Sequence, residues 1–174
     1  RRVFHFMNQL LLRQAYVVLC LTATSTIAQA GSEFSEALAN LTQPKSVWLN
    51  AGFYTSHFDH DKGLRNANPG LGLEWALNDT YALTVGGFKN SDHQHSNYLG
   101  LYVMPWRWES LKLGAVVGTF DGYPRANQGG WFAALVPMVS IEGQRWGLNT
   151  AIIPSIDDKL HGGISFQLKY KITP

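Results

Sequence analysis

Cysteine is almost absent: Cys20 is the single one in 174 residues, and it lies within the first thirty positions. Beyond them the chain has no disulfide and no thiol for redox or nucleophilic chemistry. Charge is scarce as well, at 15% of residues, too little to coat an ordinary soluble domain. Long apolar runs are also lacking. After position 30 no stretch of 18 residues is continuously apolar, which excludes a membrane helix there and leaves strands as the way to cross a bilayer. The length suits one domain, and no segment has the composition of a disordered one.

The first thirty residues carry the features of a secretory leader. Met7-Asn8-Gln9 leads through Arg13 to an apolar run, Ala15 to Ala23, and then to Ala28-Gln29-Ala30, an A-x-A cleavage pattern. Residues 1–6 precede that methionine and are expected to be translated upstream sequence. Without residues 1–30 the fourteen Lys and Arg lose Arg1, Arg2 and Arg13, leaving eleven against twelve Asp and Glu. The overall pI of about 8.7 therefore overstates how basic the exported chain is. No basic stripe remains for nucleic acid, and none is expected as a partner.

Residues 31–45 read as a short amphipathic helix and linker. Phe34, Leu38 and Leu41 recur at helical spacing, and Pro44 limits the helix's extension. A helix this short is marginal alone and is expected to lie on a membrane surface or at the end of the domain.

From Ser46 the period switches to two. In the last segment Ile164, Phe166, Leu168, Tyr170 and Ile172 alternate with Gly163, Ser165, Gln167, Lys169 and Lys171. The same reading places strands at about 46–56, 69–77, 80–90, 97–105, 111–120, 131–141, 146–154 and 162–172. Their lengths suit tilted strands that cross the hydrocarbon layer. Longer loops at about 57–68, 91–96, 121–130 and 155–161 alternate with short turns at Asn78-Asp79, Trp106–Ser110 and Glu142–Arg145. The predicted fold over 46–174 is all-β: an eight-stranded antiparallel transmembrane β-barrel with a short N-terminal amphipathic helix. An even strand number puts both ends of the barrel on the periplasmic side of an outer membrane and the longer loops outside. Trp48, Trp75, Trp106, Trp108, Trp131 and Trp146 fall near strand ends, as interface girdles do.

This topology brings the end of strand one, at His57, and the end of strand three, at Asn90-Ser91, to one rim. Asp59, His60 and Asp61 follow in the first loop, and Asp92, His93 and His95 in the second. Exposed loops collect such residues for solubility. Grouped, they also permit chemistry. One reading is a histidine as general base for acyl transfer, with a serine donating or positioning a hydrogen bond. Another is metal capture, for which His93-x-His95 matches no specific spacing. Asn66 to Glu74 is glycine-rich but lacks the following helix and the Lys-Ser/Thr of a phosphate loop, so its glycines are expected to let a strand bend and keep the barrel interior open. Glu74, within a strand, either faces the lumen with a basic partner or lies near water.

Taken in order, several segments across residues 33–172 resemble the lipid A palmitoyltransferase family (PagP). They are the N-terminal helix, the histidine closing strand one, Asp61-Lys62, Pro69-Gly70-x-Gly72, Phe88-Lys89-Asn90-Ser91, Leu135-Val136-Pro137 with Ser140, and Ile153-Pro154. The resemblance implies an acyltransferase that moves a chain from a phospholipid to a lipid A hydroxyl, without a cofactor or a metal, as a monomer in the outer membrane of a Gram-negative bacterium. It gives His57 the base role and Ser91 the serine role. Where the family has an aspartate this chain has Asn90, which carries no charge. Asp92, Asp59 or Asp61 could stand in for that carboxylate, or Asn90 could orient the imidazole as a hydrogen-bond partner. The family's acyl-pocket floor falls at Tyr102, or at Gly100 if the register shifts by two, and Tyr102 would select chains shorter than palmitoyl. Pro137 and Pro154, within strands, would flank lateral gates. Two other readings stay open: a non-catalytic barrel with a metal-binding rim, and a lipid A or phospholipid deacylase using the same residues.

Overall fold

The computed structural model describes residues 26–156 and 159–173. The leader expectation falls mainly on residues 1–25, Cys20 among them, which lie outside the described residues. The chain divides into two units after Ala39. In the first, the described residues 26–39 form a helix, α1, which extends N-terminal of the expected 31–45 and runs through Ala28-Gln29-Ala30. No glycine or proline other than Gly31 interrupts residues 26–39, and the Gln29 side chain reaches Glu33 one turn on, so the helix continues past the apolar repeat.

The second unit is a closed barrel of eight antiparallel strands in sequence order. These are β1 (Ser46–His57), β2 (Ala67–Ala76), β3 (Tyr81–Lys89), β4 (His95–Trp108), β5 (Leu111–Phe120), β6 (Phe132–Glu142), β7 (Trp146–Ile153) and β8 (Gly163–Lys171). Pairing of β1 with both β2 and β8 removes the free edges. The period-two segments locate all eight strands. β4 is longer than its alternation suggested because Trp106 and Trp108 continue to pair with Leu113 and Leu111 beyond an irregularity after Val103, so the turn shrinks to residues 109–110. Pro154 falls one residue beyond β7 rather than within it. A proline supplies no N–H to a ladder, and here it follows the strand's last pair.

The barrel is inside out relative to a soluble protein. Leu71, Val85, Leu99, Val117, Leu135 and Leu168 point outward and are exposed, whereas Asn50, Thr84, Asn149, Ser165, Gln167 and Lys169 point inward and are buried. An apolar outer band over a polar lumen is stable in lipid, where closure satisfies the backbone and the band meets hydrocarbon. Val85 and Leu99 are paired neighbours on that band. Val85→Arg is expected to cost about 2–4 kcal/mol of folding free energy in bilayers if the site lies at the midplane. Urea titration in vesicles measures it, and the same change at rim residue Lys89, already cationic, should have little effect.

The two ends differ. At the turn end, Trp106, Trp108 and Trp146 are exposed, as a girdle requires, but Trp48 is buried inside the barrel, with its ring under the Lys169 ammonium at 4.7 Å. The alternation of β1 decides this, since Trp48 shares its inward face with Asn50. Lys45 and Arg107 both pair with Asp79 in the β2–β3 turn. The Lys45 hydrogen bond leads in holding the Asp79 carboxyl below its usual range. Between the ends, Lys169 bridges Glu74 and Glu142 at 2.7 Å each, and Lys112 reaches Glu142 at 2.8 Å. Glu74 thus faces the lumen with a basic partner. The glycines beside it do not leave space: a Cβ on Gly72 would meet the Tyr98 hydroxyl at 2.0 Å, and one on its register partner Gly86 would meet it at 2.5 Å. The pair forms a notch that receives the Tyr98 phenol.

Candidate active site

His57 is the last residue of β1, paired with Gly163 of β8, and is buried. Its placement follows from the β1–β2 hairpin. The Thr55 N–H donates to the Asn66 carbonyl at 2.8 Å, which fixes Asn66 across from the end of β1. From there the Asn66 Oδ1 meets His57 Nδ1 at 3.0 Å. With the amide oxygen facing the ring, Nδ1 carries the proton and Nε2 presents its lone pair. The atom at Nε2 is the Ser91 Oγ, 2.9 Å away. Asn66, His57 and Ser91 therefore form a continuous chain of orienting group, base and hydroxyl.

Ser91 is held by the tight β3–β4 loop, and Asn90 organises that loop. The Asn90 Nδ2 donates to Ser96 Oγ at 2.9 Å and to the Gly122 carbonyl at 2.7 Å. Its Oδ1 accepts the Asp92 and Gln94 N–H groups. All these partners tie the loop to itself and to the β5–β6 connection, and none is His57. The Arg65 N–H donates to the Ser91 carbonyl at 3.0 Å, so the β1–β2 and β3–β4 loops are joined at the serine.

The pair lies at the mouth of a cavity of about 120 Å³ inside the loop half of the barrel. Phe53, Phe88, Tyr98, Phe120 and Phe132 make one wall as a chain of ring contacts with centroids 4.8–6.2 Å apart. Val116, Val136, Ala134, Ala151 and Ile153 make the other. Polar groups gather at the mouth, where His57, Ser91, Asp92, Tyr123 and His161 line it. Burial pushes the Tyr123 phenol well above its ordinary value, with the Asp92 charge adding to the effect, so it stays a hydrogen-bond donor.

At the bottom stands Tyr102. It lines the upper cavity and also a second one, of about 10 Å³, that opens toward Glu74 and Lys169, and it packs in a buried cluster with Met104, Val116 and Met138. Gly100 also points inward but lines neither, because Val116 and Thr84 already cover it. The side wall has a seam. Pairing of β6 with β7 stops at Met138 and Ala151, although β6 pairs with β5 up to Phe132 and β7 with β8 up to Ile153. Pro137 is the first β6 residue beyond that last pair. Ala134 and Val136 on β6 and Ile153 on β7 lie beyond that pair and line the cavity.

Of the expected site residues, His57 and Ser91 come together, and Tyr102 stands below them. Asn90 is a loop tie and not the partner of the imidazole. Asp59 and Asp61 are exposed on the turn around His60–Lys62, and both His57 nitrogens are already engaged by Asn66 and Ser91. Asp92 lines the cavity mouth beside Ser91 without bonding the ring. Asn66 and Tyr123 were not singled out from sequence. Asn66 could have been, since any hairpin joining His57 to the next strand returns the chain opposite the end of β1. Among the described residues no three His, Cys, Asp or Glu side chains converge as a metal site. His93 and His95 stay exposed, the latter turned to Asn97 at 3.3 Å.

Fold and site together define an eight-stranded transmembrane β-barrel with an apolar chamber and a Ser-His pair at its mouth. No known protein family matches the chain, and no curated protein does. Among solved structures it is similar to a de novo designed transmembrane barrel, TMB2.3, solved by solution NMR. The TM-score is 0.55 at 12% identity, over 75% of this chain and 97% of the designed one. That likeness is one of fold alone.

Proposed function

We propose that this protein is a phospholipid:lipid A acyltransferase of a Gram-negative outer membrane, exported by its N-terminal leader, with the His57 rim facing outward. The observation that carries the reading is the hydrogen-bonded His57–Ser91 pair over an apolar chamber within a membrane barrel. Acyl transfer needs a base at the hydroxyl and a dry slot for the chain, and both occur at one place. The β6–β7 seam supports lateral entry of the donor's acyl chain from lipid, with Pro137 beside it. Pro154, outside the strand, belongs to the loop above the opening. Resemblance in segment order to the lipid A palmitoyltransferases supports lipid A as acceptor.

Mass spectrometry of lipid A and phospholipids from cells expressing wild type or His57→Ala tests the proposal. Added acyl mass on lipid A together with lysophospholipid, in the wild type alone, is the expected result. Lost acyl mass would make the enzyme a deacylase, and unchanged lipids would make it a passive barrel.

Tyr102 sets the chamber's depth in this reading, so the wild type should prefer chains shorter than palmitoyl. Tyr102→Gly is expected to move the optimum to longer chains. Each further methylene that fits should raise relative kcat/KM by about fourfold, the equivalent of about 0.8 kcal/mol. A series of acyl esters measures it, and an unmoved optimum would assign the floor elsewhere.

A further inference from the structure

We infer that Ser91 is itself acylated, so that the reaction runs through an acyl-serine intermediate with Asn66 as the positioning residue of the base. The inference rests on the acyl-transfer reading of the site and specifies its route. In a single-step route the acceptor hydroxyl would occupy the lone pair of His57 Nε2. Here that lone pair already takes a hydroxyl, the Ser91 Oγ at 2.9 Å, and the opposite nitrogen is held by Asn66 at 3.0 Å. A nucleophile within reach of its base, and a base oriented by a third group, is the arrangement of an activated serine. The third group is an amide rather than a carboxylate. It fixes tautomer and ring angle without adding charge.

Position supports the same route. Ser91 lines the chamber mouth, so a chain lying between the aromatic wall and Val136 brings its ester carbonyl to the serine. Ser91 Oγ bonds to that carbon as its proton passes to His57 Nε2. The ester C–O bond then breaks, the proton goes to the departing lysophospholipid oxygen, and the acyl group stays on the serine. An acceptor hydroxyl next gives its proton to His57 and attacks the acyl-serine, and Ser91 leaves with that proton. One ester is exchanged for another, with no net change in protons or oxidation state. Tyr123 and His161 line the same mouth and are the donors at hand for the oxyanion.

The test uses the full chain in detergent micelles with p-nitrophenyl decanoate, followed by an alkyl fluorophosphonate. The expected result is a rapid release of nitrophenolate close to one per protein, a decanoyl mass on the Ser91 peptide after acid quench, and labelling by the fluorophosphonate. Ser91→Ala should abolish all three. Asn66→Ala should slow the release about 10- to 100-fold, a fraction of what general-base catalysis supplies. Asn66→Asp should restore the rate while moving the acid limb of the pH–rate profile upward by about one unit, because a carboxylate stabilises the imidazolium and the base must be neutral. A merely structural role for Asn66 would leave that limb in place. His57-dependent turnover with no adduct and no label, undiminished in Ser91→Ala, would overturn the covalent route and leave the acyltransferase standing. No turnover by the wild type above the His57→Ala background would overturn both.

Discussion

Replacing His57 by alanine is expected to lower acyl turnover about 10²- to 10⁴-fold, the span that a positioned general base contributes. The loss should fall on kcat and leave KM nearly unchanged, because chain binding comes from the chamber walls and not from the imidazole. His57 ends β1 and its backbone pairs with Gly163, so the substitution removes the ring without removing a ladder bond. The barrel should therefore fold, and the mobility of the unheated protein on a detergent gel reports whether it does. His57→Gln is the sharper variant: it can keep a contact with Ser91 but cannot accept and release a proton at neutral pH. It should be as inactive as alanine. Alanine at His93 or His95, both exposed on the same rim, should leave the rate unchanged, which separates the base from a general effect of the histidine-rich surface.

Lys169→Met is expected to destabilise the barrel by about 3–5 kcal/mol, the cost of breaking a buried ion pair from one side. The Lys169 ammonium is 1% exposed and gives hydrogen bonds to Glu74 and Glu142, while Trp48 covers it. Glu142 keeps Lys112 when Lys169 is lost, but Glu74 keeps only the Asn149 amide, at 3.1 Å. A charge with no counter-ion inside the lumen is the damaging product. Adding Glu74→Gln to Lys169→Met removes it, so the double variant should recover most of the loss. Urea titrations of the three proteins in one detergent measure this, and equal instability of single and double variants would make packing around Trp48 the cause. The cluster lies on the turn side of Tyr102, beneath the chamber.

The barrel was legible because its determinants are local and repeated. Alternation over β8 separates Ile164, Phe166 and Leu168 from Ser165, Gln167 and Lys169. In a chain poor in charge, that pattern recurring eight times leaves a closed membrane barrel as the consistent solution. A designed barrel with 12% identity shares the fold, as expected when pattern and not identity dictates it. Alternation alone does not say which face is inside, and strand ends were less legible. β4 runs on past Val103 through an irregularity that no two-residue period encodes, and β7 stops at Ile153 before Pro154.

The site divides in the same way. Sequence by itself determined that His57 and Ser91 reach one rim, because strand parity fixes which end each strand delivers its last residue to. It also determined that Tyr102 shares a face with Tyr98 and Gly100, opposite Leu99, Leu101 and Val103, because the side-chain period of a strand is two. Sequence could not determine what holds the imidazole. The family resemblance suggested Asn90, yet hydrogen-bond capacity is spent in three dimensions, and both polar atoms of the Asn90 side chain go to its own loop, to Ser96 and to Gly122. Hairpin register decided instead for Asn66, and it decided that the pairing of β6 with β7 ends at Met138. Period and parity belong to the chain one residue at a time; register, and the partner each polar atom finds, exist only once the barrel has closed.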